Sequence, residues 1–207
     1  QMKSKKTIII CALVTILILG GVISGVSLLF NHPLRIEKPT FIYIDRDDTA
    51  DSVYVKLQRD LNATHLTGFK MLARLKKYDQ QIHSGAYRFD ASINTLTLFR
   101  RLSCGHQTPV KVVIPSVRAL SRLARSLDRQ LMPDSTEFAR LVGDSAFCAS
   151  LGFSLETMPA LFIPNTYEAY WNTDAEAFIQ RMKKEYERFW TQERKDKAQA
   201  CGLISVD

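Results

Sequence analysis

The feature that most constrains this chain is the run Thr7–Phe30 (TIIICALVTILILGGVISGVSLLF), which carries no charged residue. A helix over it, at 1.5 Å per residue, would be about 36 Å long, enough to cross a hydrocarbon core with some tilt. Lys3, Lys5 and Lys6 precede the run with no acid among them, whereas Arg35 and Lys38 follow with Glu37 between them. The positive-inside bias then puts the N-terminus in the cytoplasm and everything after about residue 31 across the membrane. This reading gives a cytoplasmic tail at residues 1–6, a transmembrane anchor at 7–30 and a linker at 31–40. The competing reading is a cleaved signal peptide, whose apolar core spans only about 7–15 residues and ends on an A-x-A-like site that this sequence does not offer. Gly21 and Gly25 have the G-x-x-x-G spacing of closely approaching helices, against the general abundance of glycine in membrane helices.

Beyond the anchor the chain is long enough for one ordinary domain or two small ones. The net charge of +7, less the three N-terminal lysines, leaves +4, a mild excess that suits anionic polymers or lipid headgroups without demanding them. Nucleic acid is excluded as a partner outside the cytoplasm. The four cysteines, Cys11, Cys104, Cys148 and Cys201, do not form a regular framework. A Cys104–Cys148 bridge is chemically permitted in an oxidising compartment, with no spacing to favour it.

Along the exported part, Phe41–Ile44 reads as a strand, Thr49 caps a helix with Val53, Leu57 and Leu61 on one face, and a second helix runs from about Leu66 to Tyr78. Gly85–Phe89 returns as a strand, so residues 41–90 form a small β-α-α-β unit. Ser92 is the expected cap of a helix through Leu96, Phe99 and Leu102 that ends on Gly105. Pro109–Ile114 reads as a strand, and Pro115-Ser116 as the start of a helix whose stripe is Val117, Leu120, Leu123, Ala124, Leu127 and Leu131. A further strand is expected at Ala160–Ile163, and one long helix at about Ala175–Lys197, with Phe178, Met182, Tyr186 and Phe189 buried. Gly202 caps that helix, and 203–207 looks like the entry to another helix, as if the chain were cut short. The fold class is therefore α+β.

Asp45-Arg46-Asp47 opens like a calcium loop, but Ala50 and Lys56 stand where that loop needs Gly and Glu. His32, His65, His83 and His106 have no helical metal-site spacing, and Cys104-Gly105-His106 is too compact for a ligand set, so no metal or other cofactor is expected. The densest polar-aromatic stretch is Phe162-Ile163-Pro164-Asn165-Thr166-Tyr167-Glu168-Ala169-Tyr170-Trp171-Asn172, read as a loop just after a strand. Such a mixture suits carbohydrate, because pyranose rings offer apolar faces for stacking and hydroxyl edges for Asn, Thr and Glu. The competing reading is that Tyr167, Tyr170 and Trp171 anchor the loop to the core. Glu156 and Glu168 are acids of a suitable type, without a visible partner carboxylate.

The combination Gly85-Ala86-Tyr87-Arg88-Phe89, Cys104-Gly105-His106-Gln107-Thr108-Pro109-Val110 and Phe162-Ile163-Pro164-Asn165-Thr166-Tyr167-Glu168, followed by Tyr170-Trp171-Asn172 and Arg181-Met182, resembles the endolytic murein transglycosylases of the YceG-like family, particularly their Bacteroidetes-type members. The resemblance implies a single-pass inner-membrane enzyme with its bulk in the periplasm. Its substrate would be the glycan strands of peptidoglycan, which it would cut internally to leave 1,6-anhydro-muramic acid ends. It also implies peptidoglycan synthases as neighbours, a LysM-like module at residues 41–90 and the first part of a mixed α/β transglycosylase domain at 91–207. One glutamate would protonate the glycosidic oxygen and then take the proton of the sugar's own 6-hydroxyl as that attacks the anomeric carbon. In relatives that glutamate lies just beyond the segment matching Gly202–Asp207, so no catalytic residue is carried over. The substrate-binding expectation rests on Asn165, Thr166, Tyr167, Glu168, Tyr170 and Trp171. The alternative function is a non-catalytic, membrane-tethered cell-wall-binding or scaffold protein.

Overall fold

A computed structural model describes residues 2–31, 33–34, 36–63, 66–90, 92–116 and 119–202. The chain divides into two compact units, residues 1–107 and 108–207. Helix α1 (Met2–Phe30) opens the first unit. Its described side chains are those of 13–25, 27 and 30; the rest of the predicted span lies outside the described side chains. Among the described residues no helix is long and apolar enough to cross a membrane. The stretch 13–25 is helical throughout. It carries exposed Leu13, Ile16, Leu17, Leu19 and Ile23.

In the first unit, β1 (Pro33–Leu34) pairs antiparallel with β4 (Ile93–Asn94), and β2 (Thr40–Ile44) with β3 (Gly85–Phe89). Between β2 and β3 lie α2 (Ala50–Leu61), α3 (Thr67–Leu75) and a 3₁₀ turn at Tyr78–Gln80. Thr49 caps α2 as expected, in a full capping box with Ser52, and Val53, Leu57 and Leu61 face the core. The second predicted helix stops short of Tyr78 because Lys77 takes a left-handed conformation, φ 51°. That turn delivers Tyr78 inward against Phe69 and Phe99, three rings in mutual edge contact at 5.6–6.0 Å. Helix α4 (Thr95–Ser103) is capped not by Ser92 but by Asn94, whose Oδ1 accepts from Thr97 N–H at 2.7 Å. The buried face is accordingly Leu98, Phe99 and Leu102, with Leu96 turned outward.

The second unit starts with β5 (Val110–Ile114), followed by α5 (Leu120–Asp128), α6 (Ser135–Val142), α7 (Ser145–Ser150), a 3₁₀ turn at Met158–Leu161 and β6 (Asn165–Ala169). Val117 of the predicted α5 stripe, and residues 203–207, lie outside the described residues. The strand expected at Ala160–Ile163 is instead 3₁₀ and turn, because Pro159 fixes a helical start and Phe162 N–H closes onto the Pro159 carbonyl. The long terminal helix is two: α8 (Ala175–Phe189), capped by Asp174, and α9 (Gln192–Ala200), capped by Thr191. Phe178, Ile179 and Met182 are buried, whereas Tyr186 and Phe189, predicted as core, are only half-buried. Cys104, Cys148 and Cys201 are free thiols, so Cys104 and Cys148 do not bridge.

The units share an architecture that their sequences hide. Each contains a strand, a run of helices, a 3₁₀ turn and an antiparallel return strand. A tyrosine occupies the centre of each return strand, Tyr87 opposite Ile42 and Tyr167 opposite Val112. Each tyrosine hydroxyl donates to the carbonyl four residues upstream, at 2.9 Å to His83 and 2.9 Å to Ile163. The fold is mixed α+β throughout.

Candidate functional site

The polar-aromatic block is not a loop. Asn165–Ala169 is strand β6, antiparallel to β5 with Lys111 opposite Glu168 and Val113 opposite Thr166. The pleat sends alternate side chains to opposite faces: Val110, Val112, Ile114, Tyr167 and Ala169 go inward, while Lys111, Val113, Thr166 and Glu168 are exposed. The sequence therefore places polar and apolar groups by period two, which the loop reading missed although the alternation T-Y-E-A was visible.

Both outer edges of this ladder are engaged by side chains. Gln130, just beyond α5, accepts from Val113 N–H at 2.7 Å and donates to Val113 C=O at 3.0 Å, copying a neighbouring strand. This identifies Val113–Thr166 as a pair whose backbone groups point away from each other, with side chains in closer approach. Lys111–Glu168, two positions along, has the same character, and the Glu168 carbonyl accepts a hydrogen bond from Arg181 Nη1 of α8. Thr166 N–H is taken by Asn165 Oδ1 at 2.8 Å. Arg181 thus holds β6 through its backbone and leaves the Glu168 side chain outward.

Of the residues expected to meet substrate, Thr166 and Glu168 share the outer face, and Asn165 stands exposed at its head. Tyr170 follows the strand with 53 % of its surface exposed. Trp171 is half-buried, in a turn closed by Thr173 N–H on the Tyr170 carbonyl. The Trp171 carbonyl is held at 2.8 Å by Met132 N–H. Tyr167 is separate from these: its ring is buried, its hydroxyl is committed to Ile163, and burial pushes its phenol above the ordinary value. Among the described residues no glutamate is buried, and no group of His, Cys, Asp and Glu could hold a metal ion.

A family model described as the YceG-like family matches residues 42–205, most of both units. The chain belongs to the YceG-like family. No curated protein matches it significantly. Among solved structures, the YceG-like chain is similar to a YceG-like protein from Listeria monocytogenes at 15 % identity and a TM-score of 0.45. The similarity covers 81 % of this chain and 60 % of that one, so this YceG-like chain spans less than two thirds of its relative's length. Within the family match fall β3 to β6 and the end of β2 from Ile42, both central tyrosines and the exposed face of β6.

Proposed function

We propose that this chain is the anchored, glycan-engaging part of an endolytic murein transglycosylase. α1 would be a single-pass anchor in the inner membrane, and residues 41–90 a LysM-like wall-binding module. The outer face of β6 would be a surface for the glycan strands of peptidoglycan. Family membership over residues 42–205 carries the reading. Asn165, Thr166 and Glu168 offer hydroxyl- and amide-directed hydrogen bonds, and exposed Tyr170 offers a stacking face. Tyr167 is left out of the contact set, because it is spent on the core.

The reading assigns proton transfer to no residue among 1–207. A general acid has to be kept protonated near neutral pH, which enzymes do by withdrawing a carboxyl from water. No described glutamate is withdrawn in that way. The same observation favours the second reading, a tethered wall-binding protein without catalysis.

Two measurements test this. Replacing Asn165, Thr166 and Glu168 together by alanine is expected to lower co-sedimentation with isolated peptidoglycan. The unfolding midpoint should stay nearly fixed, since exposed polar groups contribute within about 0.5 kcal/mol, the Arg181 bond goes to backbone, and water can replace the exposed Asn165 Oδ1 at the Thr166 N–H. Unchanged sedimentation would remove β6 from the binding surface. Incubation of the chain with peptidoglycan should release no anhydro-muropeptides. Their appearance in mass spectra would move the acid into this chain, Glu168 first. Resistance of the chain to alkaline extraction from membranes, lost when residues 1–30 are removed, tests the anchor.

A further inference from the structure

Helix α3 turns an apolar pair outward. Phe69, Leu72 and Ala73 are buried, whereas Met71 and Leu75, one turn apart on the other side, keep 52 % and 73 % of their surface exposed. The exposed bases Lys70, Arg74, Lys76 and Lys77 flank that pair, and no Asp or Glu occurs from Leu61 to Tyr78. Lys70 Nζ lies 5.1 Å from the centroid of the Tyr54 ring, so its stem runs along the protein surface. Asp51 and Asp79 share a hollow of about 400 Å³ with Arg74 and Lys77, which leaves four cations against two acids around α3. The nearby aspartates of β2 and α2 are engaged elsewhere: Asp45 and Asp48 bond Lys56, and Asp60 bonds Arg59. Helix α4 repeats the pattern on a smaller scale, with no acid in its sequence and with Leu96 and Arg100 exposed.

Both helices lie against α1. Phe30, the last residue of α1, packs on the core of the first unit, while the side chains from 13 to 25 are exposed. A bilayer crossed by α1 would therefore end beside α3 and α4. Helices that lie in a membrane surface combine these same features: apolar residues enter the boundary between headgroups and acyl chains, and Lys and Arg around them reach anionic headgroups.

We infer that the outer faces of α3 and α4 form a docking surface for anionic phospholipid, with Met71 and Leu75 at headgroup depth and Lys70, Arg74 and Lys76 on the phosphates. Charge selects this occupant. A second copy seated on the same face would bring like charges together, and an apolar partner would strip the cations of water without replacing it. Two apolar side chains and a few bases bind a bilayer weakly alone, but a tether makes the contact intramolecular and raises its effective concentration. The inference rests on the anchor reading above and deepens it: the first unit is laid on the membrane surface instead of standing off it.

The test uses the full chain in lipid nanodiscs, either of phosphatidylcholine or of an equimolar mixture of phosphatidylcholine and phosphatidylglycerol. Hydroxyl-radical footprinting is read at Met71 and Leu75 by peptide mass spectrometry, with Leu155 of the second unit, 46 % exposed, as the reference. Relative to Leu155, anionic discs should lower modification of Met71 and Leu75 by about threefold or more, because each cation near an anionic surface contributes about fivefold in partition. Molar salt, which shortens the screening length to about 3 Å, should reverse the protection. Arg74→Gln with Lys76→Gln should restore the modification seen in neutral discs, and Arg74→Lys with Lys76→Arg should keep the protection, circular dichroism verifying the fold of each. Protection that survives molar salt, or protection in detergent alone that rises with protein concentration, would overturn the assignment, the latter in favour of a second copy. The two levels separate in the same samples. A chain that washes from the discs at alkaline pH removes the anchor reading and this surface with it. A chain that is retained, with Met71 and Leu75 modified equally in both lipids, removes this surface alone.

Discussion

Two tyrosines in the first unit should respond oppositely to the same substitution. Tyr78 and Tyr87 are both almost fully buried, and phenylalanine preserves either ring. The Tyr78 hydroxyl has no hydrogen-bond partner among the described residues, while the Tyr87 hydroxyl donates to the His83 carbonyl at 2.9 Å. An orphaned buried polar group is destabilising by about 1–3 kcal/mol, which Tyr78→Phe relieves, less a fraction of a kcal/mol for the small void left. Tyr87→Phe loses a hydrogen bond whose net contribution is about 0.5–1.5 kcal/mol, at the low end because His83 is exposed and water reaches its carbonyl. The variants should therefore differ by about 2 kcal/mol. With a urea m-value of about 1–3 kcal/mol/M, their midpoints should separate by about 1 M, Tyr78→Phe above the parent and Tyr87→Phe below it. Both residues report on one unit, so the comparison needs no assumption about the other. If Tyr78→Phe falls as far as Tyr87→Phe, the hydroxyl is satisfied by a buried water and the accounting fails. The same pair predicts alkaline behaviour. Burial pushes the Tyr87 phenol up to about 12 and Tyr78 further still. Stability they contribute is thus complete below the unfolded value near 10 and declines as pH rises above it, more steeply in the parent than in either phenylalanine variant.

At the acid end, partial burial works against the Asp48 carboxylate, but Lys56, Ser52 and the Asp45 N–H outweigh it and hold Asp48 below the usual carboxylate range. Its contribution is present above about pH 4 and lost as pH falls through that lowered value, so urea midpoints of Asp48→Asn should fall less between about pH 5 and 3 than those of the parent. Gly85→Ala should destabilise the first unit by more than the roughly 1–3 kcal/mol of a strained positive φ. The backbone there has φ +151°, and the added Cβ would lie 2.3 Å from the Gln107 side chain; a thermal melt near the parent's would refute it. Gln130→Ala frees the Val113 N–H and C=O at the β5 edge, where water can substitute, so the loss should be on the order of 1 kcal/mol. Faster hydrogen exchange should then appear at Val113 and its neighbours before it appears in α8.

The sequence by itself determined whatever is written in local periodicity and capping chemistry. The Thr49 cap, the Val53–Leu57–Leu61 stripe, β2, β3 and β5 were legible because a cap or a period of two or 3.6 needs no distant partner, although the reciprocal Ser52 bond showed only in the structure. The family motifs were legible for the same reason, as contiguous residues. Elsewhere the outcome depended on contacts that no window contains. Asn165–Ala169 is a strand because β5 supplies its ladder and Arg181 bonds its outer edge, as Gln130 bonds that of β5, and that pairing turns Tyr167 inward while leaving Thr166 and Glu168 outside. The terminal helix was expected to run on to about Lys197, yet the chain leaves the helix at Trp190 and Thr191 caps a new one. That break, which periodicity had no means to register, is what gathers Tyr186, Trp190 and Lys183 from one helix around a cavity with Gly152 and Phe153 from another part of the chain.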